Sequence, residues 1–329
     1  MSDWTSGRRA RAISTVMDVS LALLLISASV VMLAVSINDE TTPPDHVAAD
    51  QSAATLSSAT MSATYSLAYL QDDSTWDTIA DAESRSDEFN DVAFRRTVHG
   101  TVAELLADAA VTNTAIKDDS LTGLGRRYSE AVDAKGSNVF VGTNVSVYAV
   151  AIWRPYPDSS IEGRATIGDR PPRHADVSSV TLTVATDVPE VESGAVENGF
   201  ASDSYEGAAE PIARSMVSGF FPPTEMQSAL ESQGFQRALA KYRYQRAATA
   251  LDSAYGIDVT YPEAEGVLIG QATVLSRTGA DAAVANDELQ AGLTDAIATD
   301  LRNAYPSADS AQIAQNVSTN DVQIIVKTW

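Results

Sequence analysis

The chain has 329 residues, with 44 Asp plus Glu against 22 Lys plus Arg and a formal net charge of −22. It has no cysteine, which excludes a disulfide scaffold, a zinc–thiolate site, an iron–sulfur cluster and a cysteine nucleophile. A surface this acidic argues against non-specific nucleic-acid binding, which requires neutralised phosphates, while 44% hydrophobic residues set the chain apart from a disordered polyelectrolyte.

The first predicted element is a membrane span. Val19 to Ile37 is a run of 19 uncharged residues. As a helix it extends about 28 Å, against a hydrocarbon core of about 30 Å. Leu21, Leu24, Leu25, Ile26, Val30 and Leu33 supply the lipid-facing bulk. Arg8, Arg9 and Arg11 stand before the run, and Asp39, Glu40 and Asp45 after it. The positive-inside rule keeps the arginines cytoplasmic and places residues 38–329 outside the cell. Pro43 and Pro44 end the helix. A cleaved secretory signal is the competing reading, with a cut near Ala34–Ser36. Such signals usually have shorter apolar cores, of about 7–15 residues.

Arg8 to Asp18 leads straight into the apolar run. Arg11, Ala12, Ser14, Thr15 and Val16 occupy positions that resemble the class III signal of archaeal type IV pilins. The resemblance implies a cut between Arg11 and Ala12, with the apolar segment retained. Thr15 departs from the proline common there, and Asp18 is also unusual. An ionised Asp at the bilayer centre costs roughly 2.5–3.5 kcal/mol on insertion scales and less at the edge. Asp18 is therefore read as an interfacial carboxylate. The alternative is pairing with a neighbouring subunit's amine, as for the acid of bacterial pilins.

Lysine occurs only at positions 117, 135, 241 and 327. The acidic, lysine-poor, cysteine-free composition resembles that of proteins from extremely halophilic archaea, where molar salt screens self-repulsion. Arg96 to Ala109 and Ile152 to Pro157 are similar to a haloarchaeal, pilin-like single-pass membrane family of unknown function. That resemblance implies an assembly context beside a type IV pilus or tight-adherence-like secretion system.

The organisation read from the sequence is a basic leader over 1–11, a transmembrane helix over 12–37 and a linker or stalk over 38–64. An external α+β region with antiparallel sheet follows, in two parts over 65–190 and 209–329. Residues 46–64 read either as a helical stalk passing into a strand near Thr60–Leu70 or as a mobile stalk, and 71–88 as a polar loop. Val98, Val102, Leu105, Leu106 and Ala109 predict one amphipathic helix within 89–116, carrying His99. A shorter helix follows Gly123 and Gly125. Alternation over 139–153 predicts a central strand, residues 154–175 a loop or hairpin connection, and 177–187 a second strand. Residues 188–208 read as a loop and 211–219 as a short helix. A long helix is expected over 224–255, interrupted near Gly234, with a strand near Ile257–Tyr261. Leu289, Leu293, Ile297 and Leu301 mark an apolar helix face. Val322, Ile324 and Val326 close the chain as a strand.

Motifs for chemistry are scarce. His46, His99 and His174 show no metal-ligand spacing. The sequence contains no Gly-x-Ser-x-Gly elbow, no phosphate-binding Gly-Lys-Ser/Thr and no complete dinucleotide loop, so no catalytic, metal or cofactor residue is assigned. The basic run 236–246 stands out. Arg237, Lys241, Arg243 and Arg246 read either as internal pairs with the chain's own acids or as a docking face for an acidic partner. Asn316 and Asn144 head Asn-x-Ser sequons; Asn144 borders a predicted buried strand, which favours Asn316. The functional expectation is a non-enzymatic minor pilin or pseudopilin. The alternative is an unprocessed single-pass surface protein with a structural or adhesive role.

Overall fold

The computed structural model describes residues 44–82, 91–259, 281–307 and 310–329. The leader, the apolar run, Arg11, Ala12 and Asp18 lie outside the described residues. Among the described residues no helix is long and apolar enough to cross a membrane. Residues 48–329 form one compact unit.

The elements run α1 (Pro44–Ser58), β1 (Thr60–Ser66), α2 (Ser74–Ala82), α3 (Asp91–Phe94), β2 (Arg95–Thr101), α4 (Val102–Thr112), β3 (Thr114–Ile116), β4 (Asp119–Ser120) and α5 (Gly125–Gly136). They continue with β5 (Val147–Trp153), β6 (Ile161–Ile167), β7 (Ser178–Ala185), α6 (Ser193–Phe220), α7 (Pro223–Glu231), α8 (Phe235–Tyr255), α9 (Ala282–Ala304), α10 (Ser310–Asn316) and β8 (Asp321–Thr328). The fold is α+β with antiparallel sheets. Strands β1 and β2 form a two-stranded sheet, and the other six are ordered β4-β3-β6-β5-β8-β7.

Strand β5 is central, between β6 and β8. Its odd-numbered face faces the core with Ala149, Ala151 and Trp153. In register, Trp153 lies opposite Gly163 and Val322, and Ala151 opposite Ala165 and Ile324. These small residues let α4 lie very close to the sheet. A Cβ at Gly163 would sit 2.2 Å from the Ala110 carbonyl oxygen. Helix α4 accordingly buries Val102, Leu105, Leu106, Ala109 and Ala110. It starts with a reciprocal cap: the Glu104 amide donates to Thr101 Oγ1 at 3.2 Å and the Thr101 amide donates to Glu104 Oε2 at 2.9 Å.

That cap explains the first correction. The expected single helix over 89–116 divides, because Arg95–Thr101 pairs as strand β2 with β1. Val98 and His99 therefore lie on a strand, and His99 is exposed opposite Ser62. The stalk residues are helical over α1, but Ala53 and Leu56 are buried in the main core. The expected polar loop over 71–88 holds α2, whose Trp76 anchors a second cluster. Its ring lies 5.8 Å from Phe94 and 5.5 Å from Phe235. The expected connection over 154–175 contains β6.

The loop expected over 188–208 is instead helical from Ser193 onward. Helix α6 bends at Asp203 and Ser204, where Ser204 has φ 54°. The bend brings Gly199 against Gly207, so that a Cβ at Gly199 would meet the Gly207 oxygen at 2.0 Å. A straight helix would separate those residues by about 12 Å. Beyond α6 the expected interruption near Gly234 separates α7 from α8. Leu289, Leu293, Ile297 and Leu301 of α9 are all buried. The strand expected near 257–261 does not form over 257–259, and its remainder lies outside the described residues.

Replacing Gly163 by alanine should lower unfolding stability by about 1–3 kcal/mol, the usual range for overpacking. Gly194→Ala, with nothing within 4 Å of its Cβ position, should leave stability unchanged or slightly raised. Urea unfolding of the two variants checks the contrast; equal effects would remove the close approach of α4 as the cause.

Candidate functional site

The basic run lies on α8, which packs against α2 and α7. Its four cations go to different places. Arg237 and Lys241 are buried, each 4% exposed. The Arg237 Nε donates to the Leu230 carbonyl at 2.8 Å and its Nη2 to the Glu231 carbonyl at 3.4 Å. It thus satisfies the last carbonyls of α7, which lack partners inside their own helix. Arg243 is half-buried over the Phe221 ring, 5.3 Å from its centroid, and donates to the Phe220 carbonyl. Burial pushes its pKa down, against the raising influence of Tyr244 and Glu225. The Arg243 and Arg246 Nε atoms are shielded from solvent without a hydrogen-bond partner among the described residues. The run is therefore no continuous exposed face: Arg237 and Lys241 are buried, Arg237 donates to backbone carbonyls, and Arg243 meets the Phe220 carbonyl, the Phe221 ring and, at 3.6 Å, the Met226 sulfur.

Arg243 borders a concavity of about 690 Å³ between α4, the end of β7 and the α6–α7 junction. Asp108 of α4, Asp187 after β7 and Glu225 of α7 line the same space. Tyr128 donates to Asp108 Oδ2 at 2.7 Å. Asp108 as a residue is exposed to solvent. Its carboxyl is held above the ordinary value of 3.8. Desolvation is the largest cause, the hydrogen bond from Tyr128 works against it, and the Asp187 charge adds to it. Burial and Asp108 together push the Tyr128 phenol far up, so it stays a protonated donor. No group of three or more His, Asp or Glu side chains among the described residues is placed to hold a metal ion.

A second polar network fixes the loop after β5. Asp300 of α9 accepts from Tyr156 at 2.9 Å and from the Ser160 amide at 2.9 Å. It ties the β5–β6 connection to α9. Asn286 does the same for the α6–α7 junction, donating to the Phe221 carbonyl at 2.9 Å while accepting from Tyr244 at 2.7 Å.

The sequons also differ in setting. Asn144 is exposed and precedes β5 rather than lying within it. Asn316 is half-buried at the end of α10, and its side-chain nitrogen donates to the Gln312 carbonyl at 2.9 Å. Sequence reading passed over Asp108, Tyr128 and Arg126. The Arg126–Arg127 pair in an acidic chain was the available signal.

The chain belongs to a family of unknown function, DUF7284, which matches it over residues 17–329. No curated protein and no solved structure matches it.

Replacing Asp108 by Asn tests the strained carboxylate. An acid whose folded pKa is raised destabilises the fold when ionised, and that deficit disappears once the pH falls below its unfolded value. The variant should melt above the parent at pH 7. The gap should close as pH falls through the raised Asp108 value toward 3.8. A thermal-melting series against pH measures this; a variant that melts lower at pH 7 would show that the Tyr128 bond outweighs desolvation.

Proposed function

We propose that this protein is a non-enzymatic, membrane-anchored pilin-like subunit, of minor-pilin or pseudopilin type, in an archaeal assembly. The single observation that carries the reading is the uncharged run Val19–Ile37 set between Arg8, Arg9 and Arg11 and the acids Asp39, Glu40 and Asp45. Residues 38–329 then face the exterior, and the Arg11–Ala12 position is the processing site. The apolar helix serves first as anchor and then as packing element in an assembly. The α+β body is the part that contacts partner subunits. Two further features support the reading. The charge of −22 suits a surface kept soluble at high salt. The family match begins at residue 17, so the apolar run belongs to what the family shares with this chain.

Mass spectrometry of the protein from its native membranes tests the assignment. The expected N-terminal residue is Ala12, with residues 13–37 retained. A start at Met1 or Ser2 would remove the pilin reading and leave a permanently anchored surface protein with a structural or adhesive role. A start beyond Ser36 would show a cleaved secretory signal.

A further inference from the structure

Arg246 is the member of the basic run that reaches a cavity of its own. It lines a concavity of about 970 Å³ together with Arg126 and Arg127 of α5, Tyr69 and Tyr242. Arg127 is already paired, with Glu130 at 2.7 Å. Arg126 and Arg246 have no ion pair among the described residues. The Arg126 guanidinium lies over the Tyr69 ring, 5.2 Å from its centroid. Tyr69 is itself fixed by donating to the Gly123 carbonyl at 2.7 Å. The Arg246 Nε is shielded from solvent and makes no hydrogen bond among the described residues.

Two unpaired arginines at one concavity are unexpected in a chain with twice as many acids as bases. One acid of the concavity is already engaged: Asp73 accepts from Tyr242 at 2.9 Å and from the Thr75 amide at 2.9 Å. An acceptor supplied by a ligand satisfies the free guanidinium edges. The planar guanidinium fork matches a carboxylate. Asp72 and Asp73, which line the same concavity, oppose a dianion and favour a single negative charge. Ser74, Ser120 and Asn113 complete a polar rim suited to hydroxyl groups.

We propose that this concavity binds a hydroxylated monocarboxylate of the uronic-acid type. Arg126 and Arg246 hold the carboxylate, and the rim with Asp72 takes the hydroxyls. The site rests on α5 and α8 and does not depend on the pilin-like reading.

Calorimetric titration of the full chain, purified in detergent at one fixed chloride concentration, tests this with sodium glucuronate as probe. Glucose and inorganic phosphate are run in parallel. Saturable binding of glucuronate is expected, with none for glucose and weaker binding for phosphate. Arg126→Gln and Arg246→Gln should each weaken glucuronate on the order of tenfold, as for the loss of a hydrogen bond to a charged group. Arg214→Gln removes an exposed cation paired with Glu210 on α6 and should change nothing. Absence of saturable glucuronate binding overturns the proposal. So does phosphate binding as tightly as glucuronate, or an equal loss in Arg214→Gln. If Arg246→Gln does not fold, Arg126→Gln decides alone, because that side chain is exposed.

Discussion

The insertion of the last strand between β5 and β7 is the constraint on which the rest of the domain depends. Strand β8 pairs along its whole length with β7, from Ser178 opposite Thr328 to Ala185 opposite Asp321. Its other edge pairs with β5 from Val147 opposite Thr328 to Trp153 opposite Val322. The helices from α6 to α10 lie between β7 and β8 in the chain, so their folding is bound to that closure. Non-local pairing of this kind must meet its loop-closure cost before the ladder stabilises it. The turn into β8 is held by side chains from both sides. Trp153 Nε1 donates to the Thr319 carbonyl at 2.7 Å, and Thr319 Oγ1 donates to the Pro189 carbonyl at 2.6 Å. The Trp153 ring meets Phe220 edge-on at 5.5 Å, which fixes the end of α6 over the sheet.

A second theme is the use of arginine in an acidic chain. Salt bridges among the described residues lie at the surface, as between Arg127 and Glu130 or Arg214 and Glu210, where such pairs contribute little. The arginines of α8 act differently. Arg237 and Arg243 donate to the carbonyls of Leu230 and Phe220, at the ends of α7 and α6. A guanidinium suits this task because it carries several donors in a rigid plane and is weakly hydrated. The carbonyls also lie at helix C-termini, where the helix dipole favours a cation. The basic run therefore holds three consecutive helices together, while Arg246 faces the separate concavity shared with Arg126.

The acidic side of the same region shows the converse. Asp108, Asp187 and Glu225 share the concavity beside Arg243, and the protonation of Asp108 is favoured there by desolvation. Like charges gathered from three separate elements are unfavourable at low ionic strength and less so when salt screens them.

Where the sequence pattern was strong, it determined the element. Alternation of Val145, Val147, Ala149, Ala151 and Trp153 identified the central strand, and the four-residue spacing of Leu289, Leu293, Ile297 and Leu301 identified α9, because burial on one face imposes those periods. The composition, the uncharged run at Val19–Ile37 and the lack of cysteine are likewise properties of the sequence alone. Strand β2 was not legible, because Val98 falls by chance on the helical spacing of α4 and only pairing with β1 separates the two. The kinked start of α6 was hidden by glycine and acidic residues that mimic a loop, and the contact of Gly199 with Gly207 exists only after folding. The fate of the basic run was also beyond the sequence. Four cations along one helix differ only in angle, and which of them meets a helix terminus, a ring or an open concavity is set by neighbours far away in the chain.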